Sequence, residues 1–111
     1  DAPYLENRAI VHRVPLPRPR EHWDVLHLAR SLWRGRFENC RLQTLERGLC
    51  GRAREEDIPG HAIPAAYHNF VRTGYARDLG RILEHNVWDL VTLVELLTRA
   101  AAERSQRPAL R

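Results

Sequence analysis

The chain has 111 residues, enough for one domain of modest size or for part of one. It contains no run of eighteen apolar residues, and no charged start followed by an apolar run and a small-residue cleavage site. We therefore expect neither a membrane span nor a signal peptide, and we predict a cytoplasmic location. All eighteen basic residues are arginine against fourteen acids, a net charge of +4, which allows a polyanionic partner but fits a solvated surface equally well.

The cysteines bear on whether the chain binds zinc, and the first residue bears on whether it is a fragment. Cys40 and Cys50 form no Cys-x-x-Cys pair, so a zinc site is not expected, and both are predicted to be reduced, mostly buried side chains. The chain contains no methionine and opens on Asp1. This absence predicts a fragment of a longer protein.

The N-terminal residues predict a short helix followed by an extended connection. Residues 1–11 suit a helix capped by Asp1, because Pro3 is tolerated in a first turn, where its missing N–H is not needed. The segment HRVPLPRPRE that follows has three prolines and no helical period. We expect an extended connection there, with room for a short strand near Val11 to Leu16.

Two helices are predicted next. Apolar residues at three-to-four spacing indicate an amphipathic helix that begins about Asp24 and ends before Gly35. A third helix of about ten residues follows an Asn39 cap and ends at Gly51.

A loop, a fourth helix and one long helix complete the pattern. The loop carries the turn pair Pro59-Gly60, and the fourth helix opens at Pro64 and is closed by Gly74. The long helix runs from residue 76 to about 103, with a tail at residues 105–111. Projection at about 100° per residue predicts that one stripe of this helix is buried. Its members are Leu79, Leu83, Leu90, Val94 and Leu97. With about five helices and at most one or two short strands, the chain taken alone would be all-α.

The long helix carries polar residues within its apolar pattern, in the stretch ILEHNVWDL at residues 82–90. The projection places Asp89 at the margin of the stripe and His85 one step further toward solvent. Their i, i+4 spacing brings the two side chains together on neighbouring turns. A carboxylate held at this margin can bind a metal or orient a water molecule. The alternative is a His–Asp hydrogen bond that only stabilises the helix.

Several ordered segments resemble the ribonuclease H-like, DEDD-type 3′–5′ exonucleases, and most closely their YprB-type branch of predicted nucleases. HNVWD, at residues 85–89, looks like the third motif of that superfamily, in which Tyr or His precedes a final Asp on the last helix. DAPYLENR resembles the end of the second motif, with Asp1 as its acidic member. HWDVLHLARSLWR, CRLQTLERGLCG and EEDIPGHAIPAAY resemble, in order, later segments of the branch. The resemblance covers Asp1 to about Leu97.

This resemblance implies a fold and a chemistry. The complete domain would have the α/β ribonuclease H-like fold, and residues 1–104 would be its mostly helical C-terminal part. The implied function is hydrolysis of DNA or RNA from the 3′ end with two divalent ions, and hard oxygen ligands select Mg²⁺ or Mn²⁺. On this basis Asp89 is a metal ligand, Asp1 acts on the metal or its water, and His85 is the candidate general base.

One part of the family pattern is missing. The first motif, Asp-x-Glu, supplies two of the four carboxylates, and it occurs nowhere in the 111 residues. We therefore expect that the chain begins inside the second motif and is inactive alone, so that nuclease activity depends on the full-length protein. The alternative function is a non-catalytic nucleic-acid-binding or helical interaction module.

Four arginines near Gly51 are the predicted contacts to backbone phosphates of a single strand or a 3′ end. They are Arg41, Arg47, Arg52 and Arg54. The alternative is a solvated basic face. The sequence indicates neither an oligomeric state nor a helicase partner.

Two further acidic residues are assigned no chemistry at this point. His22 and His27 flank Asp24 but point to different helix faces, so the three residues are not expected to bind a metal. Asp24 is expected to cap its helix instead. Asp57 ends the charged run Glu55–Asp57 and is expected to be a solvated loop residue.

Overall fold

A computed structural model describes residues 2–106, which contain five α-helices. A π turn over Glu46–Cys50 continues the third helix directly, and a 3₁₀ turn over Gly60–Ala62 leads into the fourth. Within residues 2–106 there is no strand, only an isolated bridge between Arg34 and Phe37. The helices are α1 (Ala2–Val11), α2 (Val25–Trp33), α3 (Leu42–Leu45), α4 (Ile63–Thr73) and α5 (Ala76–Gln106). The predicted set of about five helices is confirmed, and the complete α/β fold is not seen in this part of the chain.

Helices α2 and α4 have the ends that the sequence predicts. Asp24 accepts a hydrogen bond from the Leu26 backbone N–H at 2.9 Å, which confirms it as the cap of α2. Gly74, which follows α4, has φ +72°, and its N–H donates to the Phe70 carbonyl at 2.7 Å. A positive φ is readily adopted only by glycine, so Gly74 ends this helix.

The third predicted helix is interrupted. Gly51 ends the segment at φ +66°, as predicted, but the predicted cap is wrong: Asn39 accepts from the Arg41 N–H at 2.9 Å in the turn before α3, and Arg41 is the residue that precedes the helix. However, only four residues are α-helical, and the next five form the wider π turn. A Cβ at Gly48 would collide with the Phe37 ring, so the missing side chain allows the turn to pack against Phe37.

The proline-rich segment forms no strand, and the prediction of one near Val11 to Leu16 is wrong. Val11 ends α1, and residues 12–24 are irregular and exposed. A strand needs a paired neighbour, and no segment within residues 2–106 pairs with this one. The prolines also lack the N–H that a ladder requires. Helix α1 packs on no other helix of residues 2–106 and has no fully buried residue.

Helix α5 organises the core. Helices α2, α3 and α4, together with the π turn, all pack against it. Trp33 is fully buried, and its indole N–H donates to Glu103 at 2.9 Å. Cys40 and Cys50 are unpaired and half-buried against the same core. The buried cluster consists of Ala29, Leu32, Trp33, Leu45, Leu96 and Ala100.

The predicted buried stripe of α5 is largely wrong. The fully buried residues of the helix are Thr92, Leu96 and Ala100, which follow one another at four-residue spacing. Three members of the predicted stripe are more than half exposed: Leu83, Leu90 and Val94. The physical reason is that α5 has apolar residues on more than one side, and the side that is buried is the one that α2, α3 and the π turn cover.

Asp1, the predicted cap of α1, and residues 107–111 of the predicted tail lie outside the described residues, while Ser105 and Gln106 belong to α5. None of the helices within residues 2–106 combines the length and the apolar character that a membrane span requires.

Two leucines of α5 offer a matched test of this packing. Leu96 is 1% exposed and Leu90 is 57% exposed. Because Leu96→Ala leaves a cavity in the core, we expect it to lower the free energy of unfolding by about 2–5 kcal/mol, whereas Leu90→Ala should change it by no more than about 0.5 kcal/mol. Urea unfolding followed by circular dichroism measures both. Equal losses would contradict this orientation of α5.

Candidate active site on the long helix

The structure brings His85 and Asp89 together on α5, as the spacing predicts. Nε2 of His85 lies 3.4 Å from Oδ2 of Asp89. The imidazole is largely buried, while the Asp89 side chain remains 34% exposed. Since 3.4 Å is long for a hydrogen bond, this pair alone does not hold the two side chains in place.

A third residue completes the group. Nδ1 of His85 lies 2.9 Å from Oδ1 and 3.0 Å from Oδ2 of Asp57, which belongs to the loop after the π turn. Asp57 also accepts from the Gln43 side-chain amide at 2.9 Å. The expectation that Asp57 is a solvated loop charge is therefore wrong, because its carboxylate is turned inward against α3 and α5.

Arg54 connects the two acidic side chains to the core. Its Nη2 lies 2.9 Å from Oδ1 of Asp89, and its Nη1 lies 3.4 Å from Oδ2 of Asp57. Its Nε donates to Oε2 of Glu46 at 2.9 Å. The Arg54 side chain is only 4% exposed. Burial disfavours its charge, but the hydrogen bonds to Glu46 and Asp89 outweigh burial and raise the pKa of Arg54, so the guanidinium stays charged.

Glu46 is the buried anion of this network. Its side chain is 1% exposed, and Oε1 accepts from Arg52 Nη1 at 3.2 Å while Oε2 faces Arg54. Arg52 also donates to Thr92 Oγ1 at 3.1 Å and to Glu95 Oε1 at 2.6 Å. The first residue of the π turn is thereby tied to α5 through two arginines.

The Arg52 guanidinium carbon lies over the Trp88 ring, 4.8 Å from its centroid, within the distance of a cation–π contact. The hydrogen bond that Arg52 donates to Glu95 is the largest cause of its raised pKa. Trp88 is therefore part of the support of the network and is half-buried in it.

The four arginines predicted to contact phosphates fall into two pairs. Arg52 and Arg54 have their guanidinium groups inside the network, where each forms ion pairs with carboxylates. Arg41 and Arg47 are exposed. Only the second pair presents free surface charge to a polyanion.

An open cleft of about 920 Å³ lies beside Asp89. Asn86 and Asp89 line it from α5, Arg41 from the start of α3, and Ala2 from α1. Asp1, the other predicted acidic ligand, lies outside the described residues. The described residues contain no group of three or more His, Cys, Asp or Glu side chains that could hold a metal ion. Asp89 is thus a single carboxylate at the edge of a cleft.

Comparison with known proteins identifies the family. A model of the RNase_H superfamily matches residues 1–101, and the chain belongs to this superfamily. The uncharacterized protein YprB of Bacillus subtilis (strain 168) is 35% identical over 98 residues, which make up 86% of this chain and 24% of that protein. The predicted resemblance to a ribonuclease H-like, YprB-type domain is confirmed. The chain spans about a quarter of that relative's length. No solved structure matches the chain.

Sequence reasoning missed Glu46, Arg54 and Asp57 as partners of the predicted site. The available signal was their position in the segments that resemble the family, since Glu46 ends a Leu-x-x-Leu-Glu pattern and Asp57 begins Asp-Ile-Pro-Gly. Nothing in the spacing of 28 residues between Asp57 and His85 predicts their contact.

Removing the buried anion tests the network. In Glu46→Gln the side chain keeps its shape but leaves the Arg54 charge buried without its partner, so we expect a loss of about 3–5 kcal/mol in the free energy of unfolding. Glu55→Gln, at an exposed loop position, is the control and should stay within about 0.5 kcal/mol of the wild type. Urea unfolding measures both variants. A Glu46→Gln loss no larger than the control would mean that the network contributes little.

Glu95 gives the network a dependence on pH. Hydrogen bonds from the Cys50 thiol and from Arg52 hold its pKa below the usual 4.5. A carboxyl with a lowered folded-state pKa stabilises the fold above its unfolded-state pKa, and this contribution is lost as the pH falls through the folded-state pKa. The urea midpoints of the wild type and Glu95→Gln should therefore converge on acidification from about pH 6 to about pH 3. A difference that does not change with pH would contradict this assignment.

Proposed function

We propose that the chain forms part of a metal-dependent nuclease domain that hydrolyses phosphodiester bonds of DNA or RNA from the 3′ end. The observation that carries this proposal is the Asp89 carboxylate. It lies at the edge of an open cleft, on a helix inside the segment matched by the superfamily model, and His85 and Arg54 contact it.

Asp89 fits the role of one metal ligand. Its Oδ1 faces Arg54 and its Oδ2 faces His85, but a carboxylate offers about four lone-pair sites, so two contacts leave acceptor capacity on the exposed side. Its oxygen atoms suit Mg²⁺ or Mn²⁺. Bound divalent ions would polarise the phosphate and lower the pKa of a coordinated water.

The described residues do not provide the remaining ligands. In this proposal Asp1 contributes a second carboxylate, and an Asp-x-Glu motif that the 111 residues do not contain contributes the others. Residues 1–104 would then be the C-terminal portion of the catalytic domain and would be inactive by themselves. Because the chain covers 24% of its relative, the activity is proposed for the full-length protein.

His85 has a separate role in the proposal. Its imidazole is held beside Asp89, where it would accept the proton of the attacking water. The simpler alternative, that His85 only supports the helix, has the same contacts and is distinguished by rate measurements.

Phosphate contacts are assigned to the exposed arginines. Arg41 lies on the same cleft as Asp89, and Arg47 lies on the π turn that follows α3. Both would contact the backbone of a single strand or a 3′ end without selecting its sequence. Arg52 and Arg54 would contribute indirectly, by holding the acidic side chains.

One observation favours a second candidate function. Asp89 and His85 both have protein partners in the network, so the same contacts suit a non-catalytic nucleic-acid-binding module that keeps the fold. Such a module would bind single strands in a salt-dependent manner, and neither chelator nor Asp89→Asn would change that binding.

Asp89→Asn in the full-length protein separates the two functions. Asparagine keeps the shape and still accepts from Arg54 but lacks the negative charge, so we expect Mg²⁺- or Mn²⁺-dependent degradation to fall to the level of a chelated sample, with little change in the urea midpoint. Release of nucleotides from a 3′-terminal single strand measures the activity. His85→Ala should slow the reaction while metal binding, followed by calorimetry, persists.

The matched control is Glu84→Gln, an exposed carboxylate on the same helix, which should keep full activity. If Asp89→Asn degrades nucleic acid as fast as the control, Asp89 is not a metal ligand. If the wild type binds single strands but never cleaves them, the non-catalytic function holds.

A further inference from the structure

The contact between Asp57 and His85 differs from an ordinary surface ion pair in its burial and in its short distances. Both side chains are largely buried, and both oxygens of Asp57 lie within 3.0 Å of the same ring nitrogen, Nδ1. The partners come from different elements, a loop and α5. The contact thus fixes a direction of the imidazole ring that the helix alone leaves free.

Asp57 is itself held in position from two sides. The Gln43 amide donates to its Oδ2 at 2.9 Å from α3, and Arg54 Nη1 lies 3.4 Å from the same oxygen. Gln43 and Arg54 therefore restrict the carboxylate before it meets the imidazole. A restrained acceptor constrains its partner more strongly than a mobile one.

We infer that Asp57 is a positioning residue for His85, which it holds in the tautomer that carries the proton on Nδ1. An ionised carboxylate only accepts hydrogen bonds, so the nitrogen that faces it must be the donor. In the neutral ring the other nitrogen, Nε2, is then an acceptor. Nε2 lies 3.4 Å from Oδ2 of Asp89, which is long for a hydrogen bond, so this contact does not require a proton on Nε2.

This assignment deepens the proposed function and rests on it where catalysis is concerned. A general base must present an unprotonated nitrogen to the proton that it receives. With the opposite tautomer, Nε2 would carry a proton and could not accept one. Asp57 would thus supply the orientation and the tautomer, while His85 would be the residue that contacts the water.

The first test measures the tautomer directly in the 111-residue chain. Nitrogen-15 NMR of the histidine rings in mildly alkaline buffer, where a free imidazole is neutral, distinguishes the two tautomers by their nitrogen shifts. His85→Gln assigns the signal. We expect His85 to show one protonated nitrogen, Nδ1. His27 is an internal control. It is exposed, and its Nε2 lies 3.7 Å from Asp24, which is too far for a hydrogen bond, so it should show rapid exchange between tautomers.

In Asp57→Ala the His85 signal should move to the exchange-averaged shifts of the control. A wild-type His85 that is protonated on Nε2, on both nitrogens, or exchanging between the two would overturn the inference. Because this measurement needs no catalysis, its outcome is independent of the proposed function. The wild-type spectrum decides the question even if Asp57→Ala does not fold.

The second test uses the full-length protein and its nuclease rate. Asp57→Asn offers the ring a donor as well as an acceptor, so we expect kcat to fall by about 10- to 100-fold with little change in KM. If Asp57 acts through His85, the double variant Asp57→Asn/His85→Ala should be no slower than His85→Ala alone. Asp78→Asn, whose carboxylate contacts Asn69 and not His85, is the matched control and should keep the wild-type rate.

Additive losses in the double variant would show that Asp57 acts on the fold and not through His85. If the wild type has no nuclease activity, the proposed function is wrong. The tautomer assignment is then still decided by the NMR result. The two failures are therefore distinguishable.

Discussion

The structure depends on one buried carboxylate. Glu46 sits at the junction of α3 and the π turn with almost no solvent contact, and Arg52 and Arg54 return from the following loop to meet it. Taking these charges out of water is unfavourable, and the attraction offsets that cost only when the geometry is good and the remaining donors are occupied. Arg52 donates to Thr92 and Glu95, and Asp89 lies 2.9 Å from Nη2 of Arg54; all three partners lie on α5. A single ionic network thereby fixes the loop against the long helix.

That network also determines the form of the candidate site. Nε of Arg54 donates to Glu46, and this contact orients the guanidinium so that Nη2 faces Asp89. The same loop places Asp57 in contact with His85. An exposed ion pair on a helix surface would contribute little and could rearrange. Here the ionic contacts are anchored in the core, so the orientation of His85 and Asp89 depends on Glu46, which touches neither of them.

The wider turn at residues 46–50 is part of this arrangement. A π turn places its residues differently from a regular α-helix and is often found at functional sites. It buries Glu46 directly after Leu45 and sets Gly48 against Phe37. The sequence predicts a helix here because its apolar spacing and its Asn39 and Gly51 ends are those of a regular helix. Local helix propensity does not predict the widening, because the widening depends on contacts with Phe37 and with the two arginines.

The sequence by itself determined the features that arise from local chemistry. These are the cap at Asp24, the glycine-terminated helices, the long α5 and the one-turn pairing of His85 with Asp89, together with the family, through segments whose order is distinctive. Tertiary structure decided which side of α5 is buried, because an amphipathic projection finds apolar residues but not the helices that cover them. It also decided that Arg54 and Asp57 face inward. Contacts between residues 28 or more positions apart follow from how the loop folds back on α5, and no local pattern contains that information.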